Sequence, residues 1–282
     1  MDVILVSHTE FGRVHNKKVV AVKDPVGVVD GVKNLLVVTD KYGAKVTLAV
    51  CPEVAPYVPT NGCEIGLHIH PGWQSFKSDG ASWYVGDTYL RKYCKQSSDS
   101  TVLRDYSLEE QLEMIEKGAV YLFKILKKVP KVFVAGRWSL NNDTIRALCG
   151  HGFTHDCSAM ASHKEVHFDW SKLPRISMPY RPDILDYQVA GEMPILIVPI
   201  SQLVKGGCVN PEVARIYGVN WLKTCFTEYY MKKQPVFHIC LHSPAMLDDY
   251  YCEVLDKLLS FIAKHKNVDF KYASEISETQ CL

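Results

Sequence analysis

Residues 64–73 read EIGLHIHPGW, and this stretch decides the fold. A short apolar run carries two histidines two residues apart, and Pro71-Gly72 ends the run. On an extended strand, residues i and i+2 point to the same face, so His68 and His70 direct two imidazoles into one space. Neutral imidazole is a common ligand of zinc and related ions. The segment therefore predicts a strand that ends at a metal site.

The first predicted strand, residues 3–6, is followed by the same spacing. His8-Thr9-Glu10 places an imidazole and a carboxylate on one face of an extended chain. A carboxylate and two histidines form an ordinary set of three protein ligands for a catalytic zinc, which leaves a fourth position for water or substrate. The two segments are therefore predicted to hold one divalent metal ion, with Zn²⁺ as the expected metal.

Strand-like and helix-like segments alternate along the rest of the chain, which predicts an α/β protein with parallel strands. The predicted strands are residues 45–51, 63–70, 131–135, 195–199, 235–241 and 268–272, and the predicted helices are residues 26–42, 107–128, 141–149, 212–232 and 247–264. Residues 73–106 are rich in Ser, Asp, Gly and Tyr and predict a long loop. Because no repeat or linker divides the chain, we expect one domain, residues 1–282, with that loop as an insertion.

Side chains suited to chemistry cluster where the predicted strands end. In α/β barrels the catalytic groups collect at the C-terminal ends of the strands, so these side chains are expected at one rim. They are His8, Glu10, His68, His70, Arg137 and His242.

Composition excludes several classes of function. The formal net charge of +1 gives no electrostatic argument for nucleic acid or for an anionic membrane. No run of about 18 apolar residues predicts a membrane span. The ten cysteines form no C-x-x-C pair, which favours free thiols in a reducing compartment. With no apolar leader before the first strand, the expected location is cytoplasmic.

The order of the motifs resembles the polysaccharide deacetylase (NodB-homology) family over residues 1–245. The motifs that carry the resemblance are HTE at 8–10, EIGLH at 64–68, AGRW at 135–138 and LHS at 241–243, with smaller matches at Asp156, PYRP (179–182) and EMP (192–194). The resemblance implies a distorted (β/α)7-type barrel. It also implies metal-dependent hydrolysis of the carbon–nitrogen bond of an N-acetylated sugar or a related amide.

The resemblance also suggests roles for individual residues. Glu10, His68 and His70 look like the metal ligands. His242 looks like the general acid that protonates the leaving amine, and Arg137 looks like the residue that orients the base on the first strand.

Four further residues are predicted to bind substrate. Asp156 and Tyr180 belong to the smaller matching motifs. Trp73 and Trp138 are predicted platforms for a sugar, because aromatic faces pack on pyranose rings.

Two positions depart from the family pattern. The family motif on the first strand normally begins with an aspartate that serves as the general base, and here that residue is His8. With an ordinary pKa of about 6.5, His8 suits either a base or a fourth metal ligand, and both roles stay open. The family's second histidine normally falls four residues after the first, at Gly72, which has no side chain, so His70 is expected to replace it.

The expected function is that of a metal-dependent deacetylase acting on an N-acetylated sugar or glycan, such as a cytoplasmic intermediate of glycan biosynthesis. A non-catalytic carbohydrate-binding descendant of the same barrel is the alternative. A third interpretation is an amidohydrolase-type barrel, which carries its H-x-H pair on the first strand. The oligomeric state is not predicted.

Overall fold

Eight strands form one parallel sheet that curls into a distorted barrel. The computed structural model describes residues 1–59, 62–78, 81–205 and 207–278. The strands are β1 (Asp2–Thr9), β2 (Arg13–His15), β3 (Lys18–Val20), β4 (Val46–Val50), β5 (Glu64–Ile69), β6 (Gln74–Ser78), β7 (Ala81–Val85), β8 (Val132–Ala135), β9 (His155–Asp156), β10 (Leu196–Ile197), β11 (Val236–His242) and β12 (Asp269–Lys271). The pairs β2–β3 and β6–β7 are separate antiparallel hairpins.

Helices follow most strands of the barrel and cover its outside. They are α1 (Val26–Asp40), α2 (Thr88–Tyr93), α3 (Leu108–Leu126), α4 (Asn142–Gly150), α5 (Ala214–Tyr217), α6 (Val219–Met231) and α7 (Asp249–Ile262). Their starts follow from capping side chains, which satisfy the first backbone N–H groups. Ser107 and Glu110 form the capping box of α3, as the sequence predicts. Asn141 caps α4 in the same way.

The strand order of the sheet is β10-β9-β8-β5-β4-β1-β11, and β12 pairs with the first residues of β1. The two ends of this path lie close together, because the Ser201 backbone N–H donates to the His238 carbonyl at 3.2 Å. The sheet therefore closes on itself through a short irregular segment after β10. This arrangement confirms the predicted distorted barrel of the (β/α)7 type.

Alternation along β1 divides the core into two layers. Val3 and Leu5 belong to the cluster between the sheet and the helices, whereas Ile4 and Val6 belong to a smaller cluster inside the barrel. Successive strand residues point to opposite faces, so the sequence of a strand that is buried on both faces is continuously apolar. The even-numbered residues of β1 therefore face the barrel interior.

Two sequence predictions are wrong in detail. Residues 73–106 are not one long loop, because they contain the hairpin β6–β7 and the helix α2. The prediction failed because β6 is largely exposed, so its sequence is polar. The predicted helix at residues 212–232 is divided at Gly218, which adopts a φ of 77° that a continuous α-helix does not allow.

The two hairpins lie against each other beside the C-terminal ends of the barrel strands. The Tyr84 backbone N–H donates to the Ala21 carbonyl at 3.0 Å. The ring of His15 on β2 lies 5.4 Å from the ring of Trp83 on β7. These contacts hold the hairpins as a common rim, which the sequence did not predict.

Candidate metal centre

Strand register brings the predicted ligands to one end of the barrel. Glu10 directly follows β1, and His70 directly follows β5, with β4 between these two strands. His8 pairs with His242 across the β1–β11 ladder, so their side chains leave the sheet on the same side. Because the strands are parallel, all four side chains gather at the C-terminal mouth.

Glu10, His68 and His70 form a compact group at this mouth. Their potential ligand atoms all lie within 4.8 Å of one another. Glu10 Oε2 is 3.4 Å from His70 Nε2 and 3.9 Å from His68 Nε2. This is the three-residue set that the sequence predicts, and among the described residues it is the only such group.

The orientation of His68 fits a bound cation. Its Nδ1 lies 2.9 Å from the Val134 carbonyl oxygen, and only a protonated nitrogen bonds to that acceptor. Nε2 then carries the lone pair, and it is buried with no hydrogen-bond partner in the described part of the chain. Metal-binding histidines are commonly held by such a second hydrogen bond.

The protonation states also fit a bound cation. Burial lowers the pKa of His68 to about 4. Burial, reinforced by the neighbouring imidazole of His68, lowers the pKa of His70 well below its ordinary value. Both rings are therefore neutral near pH 7, as metal binding requires. Burial raises the pKa of Glu10, a shift that a bound cation opposes.

Gly136 makes room for the ring of His70. A Cβ atom at position 136 would lie 2.4 Å from His70 Nδ1 and 2.4 Å from the Ile69 carbonyl oxygen. Real carbon atoms do not approach this closely, so a side chain at this position would displace the imidazole. The glycine of the AGRW motif is therefore required for the ring of His70 to lie beside Glu10 and His68.

His8 lies beside this group and is not one of its members. Its ring is 4.7 Å from the ring of His68 and 4.9 Å from the ring of His242. Within the described ranges its Nε2 has no hydrogen-bond partner. Burial and the surrounding imidazoles lower the pKa of His8 well below the ordinary value, so the ring is neutral and able to accept a proton.

His242 has the opposite electrostatic environment, because Glu212 contacts it. His242 Nδ1 lies 2.9 Å from Glu212 Oε1, and the His242 backbone N–H donates to the same oxygen at 3.2 Å. Burial alone would lower the pKa of His242, but the charge and hydrogen bond of Glu212 outweigh it and raise the pKa to about 9. His242 is therefore protonated at neutral pH, with Nε2 located 3.9 Å from Glu10 Oε1.

Arg137 lines the same cavity but does not contact His8. Its guanidinium donates to His167 Nε2 and to Gln74 Oε1, the latter at 3.1 Å. Arg137 and Trp138 both have a φ of 53°, in the left-handed region. Such backbone conformations cost about 1–3 kcal/mol each and are concentrated at functional sites. The predicted role of Arg137 in orienting the base has no supporting hydrogen bond among the described residues.

The cavity above the group of Glu10, His68 and His70, called the metal group below, has a volume of about 210 Å³. His8, Glu10, His70 and His242 form its floor, and its wall includes Arg137 and Trp138. Tyr84 of the β6–β7 hairpin and Lys23, which follows the β2–β3 hairpin, line its rim. Lys23 is held by Glu53 Oε1 at 2.5 Å and by the Gly86 carbonyl at 2.8 Å.

The remaining predicted substrate residues do not meet at this cavity. The ring of Trp73 lies 5.5 Å from the ring of Tyr84 and is tilted against it, under Lys23 and Arg91 and outside the cavity lining. Asp156 is fully buried and accepts a 2.6 Å hydrogen bond from the Ser158 hydroxyl. Tyr180 donates to the Tyr187 carbonyl and borders a different surface depression. Of the four, the structure brings only Trp138 to the metal group.

Sequence reasoning missed Glu212, Lys23, Gln74 and His167. Glu212 is 30 positions from His242, and nothing in its local sequence distinguishes it from an ordinary first-turn carboxylate. The others become visible only when the hairpins and the irregular segment after β9 are placed over the barrel.

Comparison with solved structures shows the same fold in other proteins. A structure assigned as a polysaccharide deacetylase from Mycobacterium smegmatis aligns at a TM-score of 0.60 and 14% identity, over 97% of this chain and 87% of that chain. One assigned to the same class from Pseudomonas aeruginosa PAO1 aligns at 0.60 and 15% identity, over 97% and 88%. The PuuE allantoinase aligns at 0.59 and 16% identity, over 97% and 87%.

At these identities the likeness establishes the fold, which is that of the polysaccharide deacetylases. The resemblance inferred from the motifs is confirmed at this level. Comparison with models of protein families and with curated protein sequences finds no match. Among the described residues, no helix combines the length and the apolar character needed to cross a bilayer.

Proposed function

We propose that this protein is a divalent-metal-dependent hydrolase that removes an acetyl group from an N-acetylated sugar or a related amide. The observation that carries the proposal is the group formed by Glu10, His68 and His70, whose ligand atoms lie within 4.8 Å of one another at the mouth of the barrel. Two imidazoles and one carboxylate favour Zn²⁺. A cytoplasmic location and a substrate from glycan biosynthesis remain predictions of the sequence.

The two histidines beside this group, His8 and His242, have the environments expected of a general base and a general acid. A divalent cation held there would polarise the amide carbonyl and acidify a water molecule. Neutral His8 accepts the proton of the attacking water. His242, kept protonated by Glu212, donates its proton to the departing nitrogen. Two titratable groups whose environments move their pKa values in opposite directions are the usual mark of such a division of roles.

The names of the structural neighbours support amide substrates without selecting one. Two are assigned as polysaccharide deacetylases, and one is an allantoinase. We favour an acetylated sugar because Trp138 brings an aromatic wall to the cavity, 6.3 Å from the ring of His8. An amidohydrolase-type barrel is less favoured, since the H-x-H pair lies at the end of β5 and not on the first strand.

A non-catalytic carbohydrate-binding protein is the second candidate. The observation that favours it is His8, whose pKa is lowered well below the ordinary value by burial, so that it is a weak base. In that case the barrel would bind a sugar without hydrolysing it.

Metal binding is tested by equilibrium dialysis of the full chain against Zn²⁺, with the bound metal counted by mass spectrometry. We expect one zinc per chain in the wild type and loss of that zinc in His68→Ala. His163→Ala is the matched control, because His163 bonds locally to the Ala161 carbonyl and does not line the cavity. Equal zinc content in all three proteins would contradict the proposed metal centre.

Hydrolysis is tested by measuring acetate released from a panel of N-acetyl sugars by the zinc-loaded protein. We expect release by the wild type and its loss in His8→Ala. If no acetate appears while a sugar still raises the melting temperature, the protein is the non-catalytic binder.

A further inference from the structure

Arg137 is a half-buried cation that faces the cavity without a carboxylate partner in the described part of the chain. The acceptors that hold it, Gln74 Oε1 and His167 Nε2, are both neutral groups. A guanidinium carries five N–H donors in a planar fork, and these two acceptors leave several of them free. No carboxylate of the described residues forms an ion pair with it, and the charge of Glu10 acts on Arg137 through space without a contact.

The surroundings of Arg137 hold the guanidinium in position. Gln74 belongs to the β6–β7 hairpin, and His167 belongs to the irregular segment after β9, so Arg137 is fixed from two separate parts of the chain. Its own backbone is in the left-handed region. A side chain held in this way loses little freedom when it binds a ligand.

Two other cations line the cavity, and both contact a carboxylate. Protonated His242 pairs with Glu212. Lys23 differs from Arg137 in the same respect. Its ammonium group forms an ion pair with Glu53, and it also lies 5.0 Å from the ring centre of Trp73. The charge of Lys23 is therefore neutralised within the rim. Among the cations that the described residues bring to the cavity, Arg137 is therefore the one without a carboxylate in contact.

We propose that Arg137 binds an anionic group of the substrate, a carboxylate or a phosphate, beside the group formed by Glu10, His68 and His70. A guanidinium fork matches the paired oxygens of either anion. A cavity of about 210 Å³ holds a small anionic molecule or one end of a larger one. The identity of this ligand as a substrate rests on the proposed function, whereas the anion site itself does not.

Calorimetric titration of the full chain, both zinc-loaded and metal-free, tests the site directly. The probes are inorganic phosphate, acetate and the neutral analogue acetamide. We expect one or both anions to bind the wild type in either metal state, and the tighter of the two identifies the chemistry of the substrate group. Arg137→Gln should weaken the binding about tenfold or more, because a charge-assisted hydrogen bond is lost. Acetamide should bind weakly to both proteins.

Two further variants separate anion binding from general effects. Arg137→Lys keeps the charge without the fork, so it should fold like the wild type and bind the anions with intermediate strength. Arg146→Gln removes the same charge from α4, where Arg146 pairs with Asp143 outside the cavity, and should bind like the wild type. Unchanged binding in Arg137→Gln, an equal loss in Arg146→Gln, or no anion binding to the wild type would overturn the proposal.

Different experimental results would refute the anion site and the proposed hydrolase function. Anion binding that depends on Arg137 in the metal-free protein, without release of acetate from any amide, would leave the site in place and refute the hydrolase. Acetate release that is equal for N-acetylglucosamine and N-acetylglucosamine 6-phosphate, and unchanged by Arg137→Gln, would support the hydrolase and refute the anion site.

Discussion

The two ends of β1 have the same backbone geometry and opposite chemistry. In the lower half, Ile4 and Val6 face a small apolar cluster inside the barrel. At the upper end, His8 and the residue just beyond the strand, Glu10, continue the same alternation, but their side chains enter a cavity lined with titratable groups. The same alternation therefore gives an apolar lower end of β1, called the support below, and an upper end with titratable side chains at the mouth of the barrel. Substitutions at the two ends should consequently affect different properties of the protein.

The largest effect is expected at the mouth of the barrel, from His70→Ala, since His70 lies beside Glu10. Removing a direct ligand should weaken zinc binding by more than the ~100-fold that loss of an outer partner costs. Zinc bound at this group would stabilise only the folded form, so the wild type should gain melting temperature with added zinc and the variant should not. The measurement is a thermal melt with and without zinc.

His238→Ala is the control for this experiment. His238 is also buried inside the barrel with its Nδ1 near the Val198 carbonyl, but it lies outside the metal group. It should keep the zinc-dependent gain. The same zinc-dependent gain in melting temperature in His70→Ala would contradict the distinction between the barrel mouth and the support.

A smaller effect is expected from Glu212→Gln, which acts through His242. The carboxylate raises the pKa of His242 to about 9, so a general acid at this position stays protonated until the pH approaches that value. Without the charge, the pKa should fall to about 6.5 or below, and turnover at pH 8 should drop about thirtyfold or more. The check is the pH profile of kcat, whose basic limb should move to lower pH.

At acidic pH the Glu212→Gln variant should approach the wild type, because His242 is then protonated in both proteins. A uniform loss at every pH would instead assign Glu212 a structural role only.

The smallest effect is expected in the support, from Ile4→Val. Deleting one buried methylene should lower the free energy of unfolding by about 1 kcal/mol. Zinc affinity should stay the same, because Ile4 lies in the apolar cluster and not at the cavity. Urea unfolding and zinc titration of the same preparation test both statements. Altered zinc affinity would show that the two halves of β1 are coupled.

Local spacing in the sequence predicted the barrel strands and the metal group. Alternation at two-residue spacing placed His68 with His70 and His8 with Glu10, because strand geometry alone fixes which side chains share a face. The capping box at Ser107 was equally local, and the structure confirms it. Because the strands are parallel, their C-terminal ends then lie at the same end of the barrel.

Contacts between distant segments could not be predicted in this way. Glu212 reaches His242 only because the chain after β10 returns to the mouth of the barrel. The partners of Arg137 come from a polar hairpin and an irregular loop, neither of which has a hydrophobic period. Asp156 matched a motif, yet it is buried against Ser158, because a motif match does not specify which way a side chain points.

The most direct test of the central claim is a zinc-soaked crystal measured at the zinc absorption edge. The account predicts one anomalous peak at the mouth of the barrel, about 2.0–2.2 Å from an oxygen of Glu10 and from one ring nitrogen each of His68 and His70. A peak that these three residues do not share, or no peak at the barrel mouth, would contradict it.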